Sequence, residues 1–141
     1  ISGFADHELK EVLDMGADGL FFKPFDASTL RSSIKKSLLP RTSHWSTKPC
    51  ETENLKVIEV DELDPHWGRG GLSFNSPEDL KVGEFINFSS SWNNKTVNGT
   101  GRVIWTDDKR AGVEIEYLPP AHIQNYEQFL ESQKPLAYIP V

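Results

Sequence analysis

The chain has 141 residues, 37% hydrophobic and 26% charged, enough for one average domain, and this composition excludes a collagen-like chain, a disulfide scaffold and a wholly disordered polymer. Fifteen basic against twenty-one acidic residues give a formal net charge of −6, so the chain as a whole repels a nucleic-acid backbone, where affinity comes from neutralised phosphates. Any anionic ligand needs a local basic site.

The lone Cys50 has no partner for an internal disulfide and stands at no zinc-ligand spacing to a Cys or His. That favours a reducing, cytoplasmic setting without a structural metal. No apolar run approaches the ~18 residues of a membrane span, and residues 1–25 lack the basic region and small-residue cleavage site of a secretory signal. Three N-x-[ST] triplets start at Asn87, Asn94 and Asn98. They fall in a polar stretch where such triplets arise by chance, and nothing else in the chain indicates secretion. The chain opens on Ile1 rather than Met, as a fragment or a processed protein does.

Residues 1–39 read as helix, strand, helix. Leu9, Val12 and Leu13 form an i, i+3, i+4 stripe, with Asp6 placed to cap the first helix and Gly16 to end it. Residues 19–22 form a short apolar run suited to a buried strand. Beyond Lys23-Pro24 a second helix is expected, with Leu30, Ile34 and Leu38 on one stripe, Asp26 or Ser28 as cap and Pro40 past its end. Residues 40–54 are polar and carry Ser, Thr and Pro, as a linker or an irregular first strand does.

Five strand-length runs follow, at 55–60, 71–75, 84–88, 102–106 and 112–117. Asp64-Pro65, Ser76-Pro77, Asn93-Asn94, Asn98-Gly99 and Asp107-Asp108 are the expected turns between them. Val113, Ile115 and Tyr117 alternate with Glu114 and Glu116, which predicts a strand with one wet face. Short strands at regular spacing predict a small barrel or a sandwich. Pro119-Pro120 then opens a last helix whose Ile123, Tyr126, Phe129 and Leu130 share a face and would cover a barrel end. The apolar tail 136–141 should lie extended on a surface.

Two resemblances organise these elements. Ile1-Ser2-Gly3, the run Gly16-Ala17-Asp18-Gly19, and Phe21-Phe22-Lys23-Pro24-Phe25 before the closing helix resemble the C-terminal part of a response-regulator receiver domain. The resemblance covers only the last third of that fold. It implies Ser2 as the switch hydroxyl, Lys23 as the lysine that contacts the phosphoryl group and a cis Lys23-Pro24 bond. The phosphoacceptor aspartate and the acidic metal-binding residues would lie upstream of Ile1, so this stretch is a remnant. Its apolar helical face is expected to pair with a second copy or to pack on the chain's own barrel.

From Arg41 onward the chain resembles a PilZ domain. The carriers are His66-Trp67-Gly68-Arg69-Gly70-Gly71-Leu72-Ser73-Phe74, then Leu80-Lys81-Val82-Gly83-Glu84-Phe85-Ile86, then Gly101-Arg102-Val103-Ile104-Trp105 with Ala111-Gly112-Val113-Glu114-Ile115. The resemblance implies a mainly β fold, a six-stranded antiparallel barrel with a C-terminal helix over residues 41–141, preceded by the α-β-α receiver remnant at 1–39. It also implies a bacterial receptor for cyclic di-GMP and no enzyme or cofactor.

In that family an R-x-x-x-R segment grips phosphates and guanine faces, and a D/N-x-S-x-x-G turn holds a guanine edge. Arg41 supplies one arginine, but Trp45 and Ser37 stand four residues away on either side. His66 stands where Asp or Asn is expected, Gly68 replaces Ser, and Gly71 is retained. Arg41, His66, Gly68, Arg69 and Gly71 are therefore the candidate ligand residues, with Trp45 and Trp67 as candidate stacking platforms. The degraded motifs keep two readings open. One is a cyclic di-GMP receptor that is the output of a response regulator. The other is a nucleotide-free adaptor that binds a protein through Trp45, Trp67 and Trp92. Residues 1–39 would drive homodimerisation in a third. Residues 1–40 hold five basic and six acidic residues and 41–141 ten and fifteen, so the nucleotide reading depends on Arg41 and Arg69.

Overall fold

A computed structural model describes residues 8–21, 23–40, 43–46, 48, 54–77 and 79–141. Two helices come first, α1 (Leu9–Asp14) and α2 (Ala27–Leu38). Six strands follow, β1 (Lys56–Glu59), β2 (His66–Trp67), β3 (Gly71–Asn75), β4 (Phe85–Trp92), β5 (Lys95–Thr106) and β6 (Arg110–Tyr117), and then α3 (Pro120–Gln133). None of these helices is long and apolar enough to cross a membrane.

The strands form one curled half-barrel sheet in the order β1-β4-β5-β6-β3-β2, open between its edges β1 and β2, where a closed barrel was expected. All five strand-length runs are strands, and the two residues of β2 bring the count to the six that the PilZ resemblance implies. The all-antiparallel arrangement needs a correction, because β1 pairs with β4 in parallel. Between them the chain reverses at the β2–β3 hairpin and again between β3 and β4, and so runs along β4 in the same sense as along β1.

The β4–β5 hairpin turns on Asn93 and Asn94, at φ 47° and 59°, the double left-handed geometry of a tight primed turn that asparagine tolerates. Asn98-Gly99, expected as another turn, lies inside β5 instead. Gly99 is there for space, since a Cβ would collide with Leu118 and Phe88.

Inward residues of the strands, among them Ile58, Leu72, Phe74, Ile86, Val103, Val113 and Ile115, build the core, and α3 closes it with Tyr126 and Leu130. Trp45 is 1% exposed and packs on Tyr126 at 5.1 Å between ring centroids. Trp67 sits against Phe88, Tyr126 and Phe129, and Trp92 against Phe129. The three tryptophans read as exposed interface or stacking residues are thus parts of the aromatic packing around α3.

The helical stretch departs from expectation in one element. Residues 19–21 form no strand and pair with no strand among the described residues, and Phe22 lies outside them. A buried-type strand needs neighbours in a sheet, and here Phe21 instead meets Phe25, edge to face at 6.4 Å. Lys23-Pro24 is cis, as the receiver resemblance implies. Asp26 caps α2, its carboxylate accepting from the Ser28 amide at 3.0 Å. Gly16 ends α1 at φ +106°, while the proposed cap Asp6 lies outside the described residues.

Candidate functional site

The turn from His66 to Gly71 was expected to hold a ligand, and its imidazole, its guanidinium and the amides of Gly68, Arg69 and Gly70 have partners inside the chain. The tail 136–141 lies along the turn as an extended segment. Arg69 N–H donates to the Ala137 carbonyl at 2.9 Å and Gly70 N–H to the Tyr138 carbonyl at 2.8 Å. A Cβ at Gly70 would overlap the Tyr138 ring, and one at Gly68 would press on the Tyr138 and Ala137 carbonyls. Those glycines let two backbones meet. Gly71 is small for a different reason, its α-carbon facing the Val113 carbonyl across the β3–β6 ladder.

Arg69 is the centre of this contact. Its guanidinium donates to Asp18 Oδ1 at 2.8 Å, to the Gly16 carbonyl at 2.7 Å and, through Nε, to the Leu136 carbonyl at 3.2 Å, and it lies 5.6 Å from the Tyr138 ring centroid. One side chain therefore joins the loop after α1, the tail and the barrel. His66 Nδ1 is 2.7 Å from the Val141 backbone oxygen, and Nε2 is 3.3 Å from the Asp64 carboxylate. Trp67 faces the core, as described above. Tyr126 OH donates to the Gly68 carbonyl from beneath.

Two further bonds tie the tail to α1. Tyr138 N–H donates to the Leu13 carbonyl at 3.0 Å and Val141 N–H to Asp14 Oδ1 at 2.9 Å. Ile139 is fully buried with Leu13 and Trp105. The tail, expected simply to lie on a surface, clasps α1 to the outer side of the sheet.

Above β6 the chain leaves a cleft of about 350 Å³ lined by Asp18, Lys36, His44, Arg69, Glu114 and Tyr138 among others. Glu114 and Glu116, expected on a wet face, are partly covered here. Lys36 of α2 lies 3.8 and 3.9 Å from their carboxylates, and Arg102 lies 3.6 Å from each. Burial pushes the Glu116 carboxyl above the usual glutamate range against the pull of Lys36. Tyr138 OH donates to Glu114 at 2.9 Å, and burial together with that carboxylate holds the phenol far above its ordinary range. The hydroxyl is a fixed neutral donor.

Residues 68–132 match the PilZ domain. The match covers β3 to β6 and nearly all of α3, so it includes Gly68, Arg69 and Gly71 but not His66, the edge strands β1 and β2, the two N-terminal helices or the tail. No curated protein and no solved structure matches the chain.

Against the PilZ match, the candidate residues divide. His66, Gly68, Arg69 and Gly71 come together at one turn, but turned towards the tail and the α1 loop. Arg41 and Ser2 lie outside the described residues. Lys23 is exposed. Asp18, Glu114 and Tyr138, which complete the cleft around Arg69, were not among the candidate site residues, although Asp18 and Glu114 stand in the runs that carry the two resemblances.

Proposed function

We propose that the chain is the output region of a bacterial response regulator linked to cyclic di-GMP signalling, in which a PilZ-type barrel works as a protein-binding adaptor behind the end of a receiver-like segment. The observation that carries this reading is the engagement of Arg69. A dianionic nucleotide would have to displace Asp18, the Gly16 carbonyl and the tail from it.

The charge around the cleft points the same way. Arg69 and Lys36 are answered by Asp18 and Glu114 within it, so an incoming dianion meets no net positive field. Each charged hydrogen-bonding partner missing from a nucleotide site costs roughly 1.5–3 kcal/mol, and ~1.4 kcal/mol is a factor of ten in affinity. Two degraded motifs are enough to take a micromolar receptor out of its working range. A protein partner is supported by α2, which buries no residue and leaves Ile34 50% and Leu38 80% exposed. A second copy meeting through residues 1–39 is one form of that partner.

Calorimetry with cyclic di-GMP on the whole chain and on Arg69→Ala tests the reading. Neither protein should release binding heat at ligand concentrations of about 100 μM. A dissociation constant near ~1 μM for the parent, lost in the variant, would replace the adaptor by a receptor.

A further inference from the structure

The three N-x-[ST] triplets have a structural explanation for two of their number. On a strand, residues two apart share a face, so Asn87 and Ser89 stand together on the outer side of β4, and Asn98 and Thr100 on β5. The hairpin register places Asn87 opposite Thr100 and Ser89 opposite Asn98. Each pair is closed by a hydroxyl donating to an asparagine carbonyl oxygen, Thr100 Oγ1 to Asn87 Oδ1 at 2.8 Å and Ser89 Oγ to Asn98 Oδ1 at 2.7 Å. The two asparagines lie diagonally across the ladder.

This arrangement orients both amides and engages the carbonyl oxygen of each. The Nδ2 groups of Asn87 and Asn98 keep their N–H donors without a partner among the described residues. Both asparagines line a cleft of about 460 Å³, on a different part of the sheet from the one around Arg69.

The ladder is also broken in a way that serves this cleft. Between Thr100 and Gly101 the β5–β6 register shifts, so Tyr117 pairs with Thr100 while Ile115 pairs with Gly101. A bulge re-aims the side chains beyond it. Tyr117, expected inside with Val113 and Ile115, lines the outer cleft with Pro119 instead. One cation, Lys48, and one carboxylate, Glu59, are at its rim.

We propose that this cleft binds a neutral oligosaccharide, with the Asn87 and Asn98 amides donating to sugar oxygens and the Tyr117 ring and Pro119 receiving the apolar face of a pyranose. The pre-oriented donors call for an acceptor-rich ligand, the ring calls for a flat apolar face, and the balanced rim charges disfavour an ion. An extended peptide is held mainly by backbone bonds to a sheet edge, whereas the donors here are side-chain amides on β4 and β5, inside the edge strand β1. The cleft does not involve Arg69 or the clasped turn, so this assignment stands apart from the adaptor reading.

The test is nuclear magnetic resonance of the ¹⁵N-labelled whole chain, titrated to millimolar concentrations with cellohexaose, maltohexaose, laminarihexaose and chitohexaose. At least one should shift the side-chain amide signals of Asn87 and Asn98. Asn87→Asp and Asn98→Asp keep the oxygen that accepts from Thr100 or Ser89 and remove the N–H donors, and each should weaken binding about tenfold. Tyr117→Leu, which keeps an apolar side chain and loses the flat ring, should weaken it comparably, and the backbone amide spectrum reports whether each variant is folded. The assignment fails if none of the four sugars moves these signals, or if folded Asp variants bind as the parent does. It also fails if cyclic di-GMP moves the same signals, because the cleft would then be a nucleotide site.

Discussion

The turn at 66–71 and the outer face of β4–β5 present opposite cases on one sheet. The turn carries residues that resemble a ligand motif; His66, Gly68 and Arg69 meet the chain's own tail, Arg69 also holds the loop after α1, and Gly71 serves the β3–β6 ladder. The β4–β5 face carries triplets that look like chance, and it keeps fixed amide donors over an open cleft. Residue type marks both places as polar and capable of recognition. Which of them is available is decided by long-range contacts, above all by where the last six residues go.

The comparison breaks most directly at Ile139. Its side chain is fully buried between Leu13 and Trp105, so Ile139→Ala should cost about 2–5 kcal/mol in urea unfolding, as large-to-small changes in a core do. Hydrogen exchange should then be faster across α1 while β3 to β6 keep their protection. Equal exchange in α1 would mean that the tail does not hold the helix. Gly70→Ala attacks the same contact from the barrel side and should cost roughly 1–3 kcal/mol, because the new methyl meets the Tyr138 ring. Its effect should be much smaller once the tail is already loosened by Ile139→Ala, a non-additivity expected of two residues in one contact.

Much of the architecture is legible from local pattern. The boundaries of β3, the ends of α2 with its Asp26 cap, and the face of α3 that closes the core follow from strand and helix periods and from turn residues. The misreadings have a common physical origin. Gly99 looks like a turn glycine because its need for space comes from Leu118 and Phe88, which are distant or on another strand. The run 19–21 has the composition of a buried strand but no sheet beside it. Trp45 looks exposed in a polar stretch, yet Tyr126, eighty-one positions on, covers it. That His66, Gly68, Arg69 and Gly71 share one turn was legible, but no local rule says that Arg69 is already paired with Asp18.

The smallest expected effect sharpens the contrast between the two N-terminal helices. The helix α1 is held by a buried leucine, whereas α2 buries nothing and meets the sheet through Lys36 and the Glu114 and Glu116 carboxylates. Because burial raises the Glu116 carboxyl in the folded state, the folded protein binds that proton more tightly than the unfolded chain does. The associated stability is fully present below the ordinary glutamate value of 4.5 and is lost as pH rises through the higher folded value. Asp26, Glu84 and Asp107 act in the opposite sense. Hydrogen bonds, led by those from the Ser28 side chain, the Lys81 amide and the Arg110 amide respectively, lower their carboxyls, so their contribution is lost as pH falls through the acid range. Glu116→Gln keeps the shape and removes the titration. The variant should therefore be the more stable protein at neutral pH, and its advantage should shrink as pH falls towards 4.5. Thermal unfolding of both proteins across that window gives the comparison. A parent that is more stable at neutral pH would mean that the ion pairs with Lys36 and Arg102 outweigh the burial of the carboxylate. The helix α2 would then be held to the barrel by net attraction rather than resting on it.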